Sequence, residues 1–135
     1  MRYFEHLSNI SPKAKIGKNC ILHAGIHIHD DVEIGDNCKI QSGALLFNGT
    51  RIGDDCFIGP GVIITNDPKL DNYTEPVKTY IGWGSKLGAG TIVVAGCNIG
   101  QGAVIGAGSV VTKSVPPYQM WYGNPAKFKK DLPNK

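Results

Sequence analysis

The sequence predicts an all-β fold in which short parallel strands wind into stacked three-sided coils, and two regular repeats carry this prediction. In the first repeat, every sixth residue is Ile, Leu or Val, from Ile10 to Ile64 and again from Ile81 to Val111. In the second, four residues further on, small or β-branched residues recur from Ala14 to Val62. A helix repeats its buried face about every 3.6 residues and a strand about every two, so a period of six indicates a coil of flat faces.

Each hexad suits one short strand followed by one turn. Three hexads close a three-sided coil of eighteen residues, so residues eighteen apart are expected to stack, as in the column Ile10, Ile28, Leu46 and Ile64. Because each aliphatic side chain packs on its neighbour in the next coil, every coil depends on the coils beside it. Glycines directly follow many of the large aliphatics, where a residue without a Cβ allows a tight corner.

The coils are predicted over residues 10–64 and 81–115, with one interruption between them. Ile64 and Ile81 are seventeen residues apart, which is not a multiple of six, so residues 65–80 are predicted to leave the coil as an inserted loop. A long loop on a rigid scaffold is a frequent place for function. A tolerated surface insertion is the alternative.

Residues 116–135 are the last element, a C-terminal cap and tail that completes a single domain of residues 1–135. Two adjacent prolines near its start oppose further regular coil. Residues 126–132 are predicted to form one short helix, which Pro133 ends. The segment is expected to cover the last coil, whose core and strand edges would otherwise be exposed.

The composition excludes several classes of function. The formal net charge of +3 is too small to indicate nucleic-acid binding, and no apolar run is long enough to cross a bilayer. All four cysteines occupy the second repeat, where Cys20, Cys38 and Cys56 are expected to stack as small buried residues rather than form disulfides or bind a metal. The sequence therefore predicts a cytoplasmic protein in a reducing compartment, with neither a nucleic-acid nor a membrane partner.

Several motifs in register with the first repeat, namely IGKNC, IGDNC, IGDDC and IGAGS, resemble a known family. They are similar to the left-handed parallel β-helix of the hexapeptide-repeat acyltransferases, over about residues 10–125. The left hand follows from the resemblance, because general rules for parallel crossovers favour the opposite hand. The segment VVTKSVPPY, followed by GNPAK, resembles the C-terminal segment of bacterial acyl-CoA-dependent sugar acetyltransferases. The resemblance implies acetyl-CoA as co-substrate and a homotrimer with active sites in the clefts between subunits, each covered by a loop from one chain.

Acetyl transfer needs a held thioester, and the late coils are expected to hold it. Lys113 and Lys127 match family positions near the coenzyme phosphates, where a flexible point charge is suitable. The alternative for each lysine is an ordinary solvated surface charge. The exposed edges of the same coils allow the pantetheine arm to lie against backbone amides at Gly88, Ala89, Gly106 and Ala107.

The start of the inserted loop indicates the chemistry of the acceptor. Many O-acetyltransferases of this fold carry a histidine here, whereas residues 64–68 (ITNDP) contain none and resemble N-acetyltransferases acting on nucleotide-linked amino sugars. The DNCKIQSGALLF stretch resembles the same enzymes. A neutral amine attacks with less help from a base than a hydroxyl does. We therefore expect Asn66 and Asp67 to be catalytic, with Asp67 as proton acceptor and Thr65 against the substrate. A turn before Pro68 is the alternative role of Asp67.

Three histidines, His23, His27 and His29, cluster within seven residues and have three interpretations. Metal ligation is one, but the H-x3-H and H-x-H spacings differ from the H-x4-H pair of the γ-class carbonic anhydrases that share this coil, and we expect no metal. A surface or interface role is the second, and a base supplied from an adjacent subunit is the third. We expect His29 to contact the substrate, together with Trp83, whose ring suits stacking on a sugar or base.

The sequence thus predicts an acetyl-CoA-dependent N-acetyltransferase that acts on the amine of a nucleotide-linked amino sugar. An O-acetyltransferase that acts on a saccharide or small alcohol with a histidine base is the first alternative. A non-catalytic β-helical scaffold is the second.

Overall fold

The computed structural model describes residues 7–70 and 77–134. In these ranges the chain forms seventeen short β-strands in three sheets and no α-helix. Face A is the sheet of β1 (Asn9–Ile10), β4 (His27–Ile28), β7 (Leu45–Leu46), β10 (Ile63–Ile64), β13 (Ile92–Val93) and β15 (Val110–Val111). Face B is the sheet of β2 (Lys15–Ile16), β5 (Glu33–Ile34), β8 (Thr50–Ile52) and β11 (Thr79–Ile81). Face C is the sheet of β3 (Ile21–Leu22), β6 (Lys39–Ile40), β9 (Phe57–Ile58), β12 (Lys86–Leu87), β14 (Val104–Ile105), β16 (Gln119–Gly123) and β17 (Ala126–Asp131).

The chain visits faces A, B and C in turn, so the strands form a parallel solenoid of about six turns. Ile28 pairs with Leu46, and Leu46 pairs with Ile64, which confirms the predicted stacking of residues eighteen apart. Across the insertion Ile64 pairs with Val93, so the coil resumes in the same column. The hexapeptide repeat implies a left-handed coil, as the resemblance does.

The two repeats fill the interior of the solenoid. Ile28, Leu46 and Ile64 are each at most 1% exposed, and burial of one such side chain contributes about 1.5–3 kcal/mol. The predicted column of small residues is also confirmed, because the buried Cys38 stacks between Cys20 and Cys56, and its thiol donates to the carbonyl of Gly53 at 3.1 Å. All four cysteines are free thiols, and Cys97 is the partly buried one.

Three corners join the faces, termed A/B, B/C and C/A after the faces they connect in chain order. Most corners contain one residue in the left-handed region, such as Asn37 (φ 60°) at a B/C corner and Gly90 (φ 72°) at a C/A corner. The glycines directly after the inward aliphatics have a different reason. A Cβ on Gly88 would lie 2.6 Å from the amide nitrogen of Ala107, so close stacking of the coils excludes any side chain there.

The prediction of a short helix over residues 126–132 of the C-terminal tail is wrong. The segment is instead β17, an edge strand paired antiparallel with β16. β16 in turn pairs with β14 and places Trp121 beside Ile105, so face C continues beyond the prolines and Trp121 packs against the end of the core. The turn at Gly123–Ala126 reverses the chain, and the ladder with β16 satisfies backbone groups that a short isolated helix would leave unpaired.

The insertion leaves the coil after Ile64 and returns at Thr79, at the A/B corner. Its two ends meet, because the Val77 amide donates to the carbonyl of Asn66 at 3.4 Å. The Gly96 amide donates to Oγ1 of Thr79 at 2.9 Å and ties the returning end to the next coil. Part of the predicted loop, residues 71–76, lies outside the described residues. Within the ranges that the structure does describe, no helix has the length and apolar character needed to span a bilayer.

Candidate active site

Face A differs from the other two faces in its outward side chains. Leu45, Ile63, Ile92 and Val110 form a continuous apolar column that is only partly buried. Face B presents charged and polar side chains at the equivalent positions, namely Lys15, Glu33, Arg51 and Tyr80. On face C the exposed Lys39 and Lys86 interrupt the outward apolar side chains. Face A is therefore the face suited to contact with another apolar surface.

The predicted acceptor residues follow face A at the A/B corner, where the loop begins. The Thr65 hydroxyl donates to the carbonyl of Val93 at 3.2 Å and accepts from the Ala95 amide at 3.0 Å, so it ties the loop to the next coil. Oδ1 of Asp67 accepts from the backbone amides of Lys69 and Leu70 at 3.0 and 3.1 Å. The carboxylate of Asp67 therefore holds its own turn, as the alternative interpretation of this residue expects.

The predicted pantetheine positions lie along the C/A corner, on the other side of face A. Ala89 and Ala107 are exposed at this corner, whereas Gly88 and Gly106 are partly buried directly before them. The glycines are explained by coil stacking, and the exposed corner leaves room for an extended ligand beside face A. The two predicted halves of the site thus border the same sheet.

The two predicted lysines are brought together by the tail. Lys113 follows β15 and Lys127 lies on β17, and both line a cavity of about 160 Å³ at the C-terminal end of the solenoid. Trp121 and Phe128 line the same cavity. Both lysines are exposed, so this end of the molecule presents two positive charges beside an apolar wall.

A stack of three rings lies at the opposite end of face A. The rings of His27 and His29 are 4.4 Å apart between centroids with planes 10° apart, and His29 lies 4.6 Å from Phe47 with planes 21° apart. Burial and the neighbouring His27 together hold the pKa of His29 below its ordinary value, with Asp30 opposing them. His23 is elsewhere, after β3 on face C.

The histidine stack does not have the geometry of a metal chelate. Nearly parallel imidazoles direct their nitrogen lone pairs side by side rather than toward one point. Across residues 7–70 and 77–134, no group of three or more His, Cys, Asp or Glu side chains is placed to hold a metal ion.

Trp83 is separated from the other predicted residues within one chain. It lies at the B/C corner, opposite face A, where the residue is 46% exposed and its ring meets Tyr118 edge-on at 6.3 Å between centroids. From the sequence, Phe47 and Asn48 are candidates for a subunit contact or for a sugar ring, and neither role is favoured. The structure places them in the same corner columns as Thr65 and Asn66, one coil earlier, as their eighteen-residue spacing indicates.

Comparisons with known proteins support the same family. The family model "Bacterial transferase hexapeptide (six repeats)" matches residues 13–48, and "Hexapeptide repeat of succinyl-transferase" matches residues 32–66 and 78–113. No curated protein matches the chain by sequence.

Solved structures show the same fold. A variant of perosamine N-acetyltransferase from Caulobacter crescentus, in complex with CoA and GDP-perosamine, is 30% identical with a TM-score of 0.85, over 96% of this chain and 57% of that one. A hexapeptide transferase family protein from Anaplasma phagocytophilum is 25% identical with a TM-score of 0.76, over 98% and 80%. Serine acetyltransferase from Neisseria gonorrhoeae is 26% identical with a TM-score of 0.68, over 93% and 42%. The chain thus spans little more than half of the perosamine enzyme, and it belongs to the hexapeptide-repeat transferase family.

Proposed function

We propose that the chain is an acetyl-CoA-dependent N-acetyltransferase that acts on the amine of a nucleotide-linked amino sugar. The observation that carries this proposal is the arrangement around face A. The loop start with Asn66 borders one side of the sheet, the exposed corner with Ala89 and Ala107 borders the other, and the Lys113 and Lys127 cavity lies at its end. The likeness to an enzyme whose structure contains CoA and GDP-perosamine supports the same reaction class.

The chemistry needs little from the protein beyond positioning. The amine nitrogen attacks the thioester carbonyl, a C–N bond forms, the C–S bond breaks, and the coenzyme leaves as a thiolate that takes up a proton. We assign Asn66 to orient the amine and Asp67 to accept the proton that the amine loses. The two backbone amides that donate to Oδ1 help to hold the Asp67 carboxylate in place.

A solid interior leaves only lateral clefts for this reaction, so the proposal includes assembly of three copies. The apolar column on face A supports it, because a partly buried row of Leu45, Ile63, Ile92 and Val110 gains by burial against a neighbouring subunit. In such a trimer Trp83, which lies opposite face A in its own chain, serves the cleft of a neighbouring copy. The coenzyme phosphates bind at Lys113 and Lys127, and the pantetheine arm follows Gly88, Ala89, Gly106 and Ala107.

The test is release of free thiol from acetyl-CoA in the presence of a panel of nucleotide-linked amino sugars. Asp67→Asn keeps an oxygen that can accept the two turn amides but removes the proton acceptor, and we expect kcat to fall about 100-fold or more. Asp55→Asn is the matched control, because Asn37 holds the equivalent corner with the same φ of 60°. An unchanged kcat in Asp67→Asn would limit this residue to its turn, and no thiol release with any amino sugar would end the proposal.

A second function, O-acetylation, is favoured by one observation: His27 lies on face A and His29 follows it at the A/B corner, beside the proposed cleft. A serine acetyltransferase is also among the structural neighbours. The two functions differ in their need for a base. Replacement of His23, His27 and His29 one at a time leaves kcat of an N-acetyltransferase largely intact, whereas loss of a histidine base lowers kcat of an O-acetyltransferase about 100-fold or more.

A further inference from the structure

We propose that the stacked rings of His27, His29 and Phe47 form a platform on which the nucleobase of the substrate stacks. This inference rests on the proposed function and names how the nucleotide half of that substrate is held. It concerns the N-terminal end of face A, away from the reacting groups.

The geometry of the three rings favours a fourth flat ring. His29 lies between His27 and Phe47, with planes within 10° and 21° and centroid separations of 4.4 and 4.6 Å, so the three rings are nearly parallel. All three side chains are partly buried in the single chain, and His27 lies one coil before Leu45, at which the apolar column of face A begins. The rings are thus reachable from the N-terminal end of face A. Nucleobases stack on His and Phe rings in just this manner, because every base has a π-face.

An open cavity adjoins the stack. Its volume is about 340 Å³, near the lower end of the 300–1,000 Å³ typical of small-molecule sites. Both histidines line it, which leaves the stack accessible from that side. The depressed pKa of His29 favours its neutral imidazole at pH 7, which suits stacking and does not require a charged partner.

Polar groups rim the cavity where the edges of a base need hydrogen-bond partners. Asn9, Ser11, Asp30 and Asn48 line it together with the histidines. The Ser11 hydroxyl donates to Asp30, and Lys13 lies 4.0 Å from the same carboxylate, so Asp30 is held at the rim. A carboxylate accepts hydrogen bonds and donates none, so this rim favours a base whose edge carries N–H donors.

The distance between the ring stack and the start of the loop matches the length of a nucleotide-linked sugar. His27 lies on β4, and the loop with Asn66 begins directly after β10, two coils further along face A. Neighbouring strands are about 4.8 Å apart, so the separation along the axis is about 10 Å. In a nucleotide-linked sugar, a ribose and two phosphates separate the base from the hexose. When the base binds at β4, this spacer allows the amine of the hexose to reach the start of the loop.

The experiment measures the affinity of the full chain for ADP, GDP, UDP and dTDP by calorimetry, with inorganic pyrophosphate as the probe that lacks a base. We expect at least one nucleoside diphosphate to bind more tightly than pyrophosphate. His27→Ala should weaken that binding about 5- to 150-fold, the cost of one lost base stack, and leave pyrophosphate binding unchanged. His27→Phe should restore most of the affinity because it restores the ring.

His23→Ala is the matched control, since His23 follows β3 at the C/A corner, across face A from the A/B corner that begins at His29, and it should leave nucleotide affinity unchanged. Coenzyme A binding, followed by thermal shift, reports that each variant is folded. In proton NMR spectra, the base should shift the His27 ring signals upfield and pyrophosphate should not. Equal affinity for pyrophosphate and every nucleotide, or full nucleotide affinity in His27→Ala, would overturn the platform.

The two proposals fail in distinguishable ways. Acetyl transfer to an amino-sugar nucleotide with kcat and KM unaffected by His27→Ala refutes the platform alone. A rise in KM for the nucleotide sugar with kcat unchanged supports it. Nucleotide binding that depends on His27, without thiol release from acetyl-CoA, supports the platform and refutes the acetyltransferase.

Discussion

Lys113 and Lys127 line one cavity of about 160 Å³, although one follows the last strand of face A and the other lies on the edge strand of face C. The tail hairpin creates this neighbourhood by folding back over the last coil, where the Gly123 amide donates to Oγ of Ser109 at 3.1 Å. Two cations beside one concave surface attract a polyphosphate more strongly than either does alone.

Lys113→Ala and Lys127→Ala should therefore each weaken coenzyme A binding about 1.4- to fivefold, because an exposed ion pair contributes about 0.2–1 kcal/mol. Calorimetry at two salt concentrations checks this, since screening should shrink the difference at the higher one. Lys15→Ala on face B is the control and should change nothing. Equal losses for a pantetheine fragment without phosphates would contradict the assignment.

Replacement by alanine should lower the free energy of unfolding by different amounts at two glycines of the C/A corner. Gly88→Ala places a Cβ 2.6 Å from the Ala107 nitrogen, so the backbone must move and the cost should exceed about 2 kcal/mol. Gly108→Ala meets no atom within 4 Å and carries only the strain of its φ of 71°, about 1–2 kcal/mol. Urea unfolding compares the two free energies, and a larger cost for Gly108→Ala would refute the stacking explanation.

The middle of the solenoid should be less tolerant of cavities than its first coil. Ile58→Ala removes a side chain with 0% exposure and should cost about 2–5 kcal/mol in the free energy of unfolding. Ile16→Ala should cost less, because Ile16 is only partly buried in the first coil of the described residues. If urea unfolding shows equal losses in the free energy of unfolding for the two variants, the core is not better packed in the middle of the solenoid than in its first coil.

Stability should fall below about pH 6.5 in a way that depends on His29. The pKa of His29 in the folded chain lies below its ordinary value of 6.5, because of burial and of the His27 imidazole. The unfolded chain therefore takes up this proton first as pH falls, so the free energy of unfolding decreases below pH 6.5 and is unaffected above it. His29→Gln removes this contribution, and its unfolding midpoint should fall less between pH 7 and 5. An identical pH slope in both proteins would contradict the assignment.

Much of the fold could be predicted because the hexad is a local pattern that alone determines which residues face inward. Cys38 illustrates this, since its place in the second repeat predicted its burial. The helix predicted over residues 126–132 failed because β17 is specified by a distant partner, β16, and a lysine-rich segment has no strong preference of its own.

The candidate site was harder to predict from the sequence than the fold, because its residues come from different coils. The approach of Lys127 to Lys113 depends on the hairpin, which no repeat specifies. The ring contact between His29 and Phe47 depends on side-chain orientation, although their eighteen-residue spacing already places them in adjacent coils. The position of Trp83, in contrast, could be predicted. Its place in the repeat puts it at the corner between faces B and C, away from face A.

The most direct test of the account is the chemical nature of the acetylated product. The chain is incubated with acetyl-CoA and the panel of nucleotide-linked amino sugars, and the product is treated with hydroxylamine, which cleaves acetyl esters and spares amides. We expect a hydroxylamine-stable acetyl amide, formed in equal amount to the free coenzyme released. A hydroxylamine-labile product, or no acetylated product from any amino sugar, would contradict it.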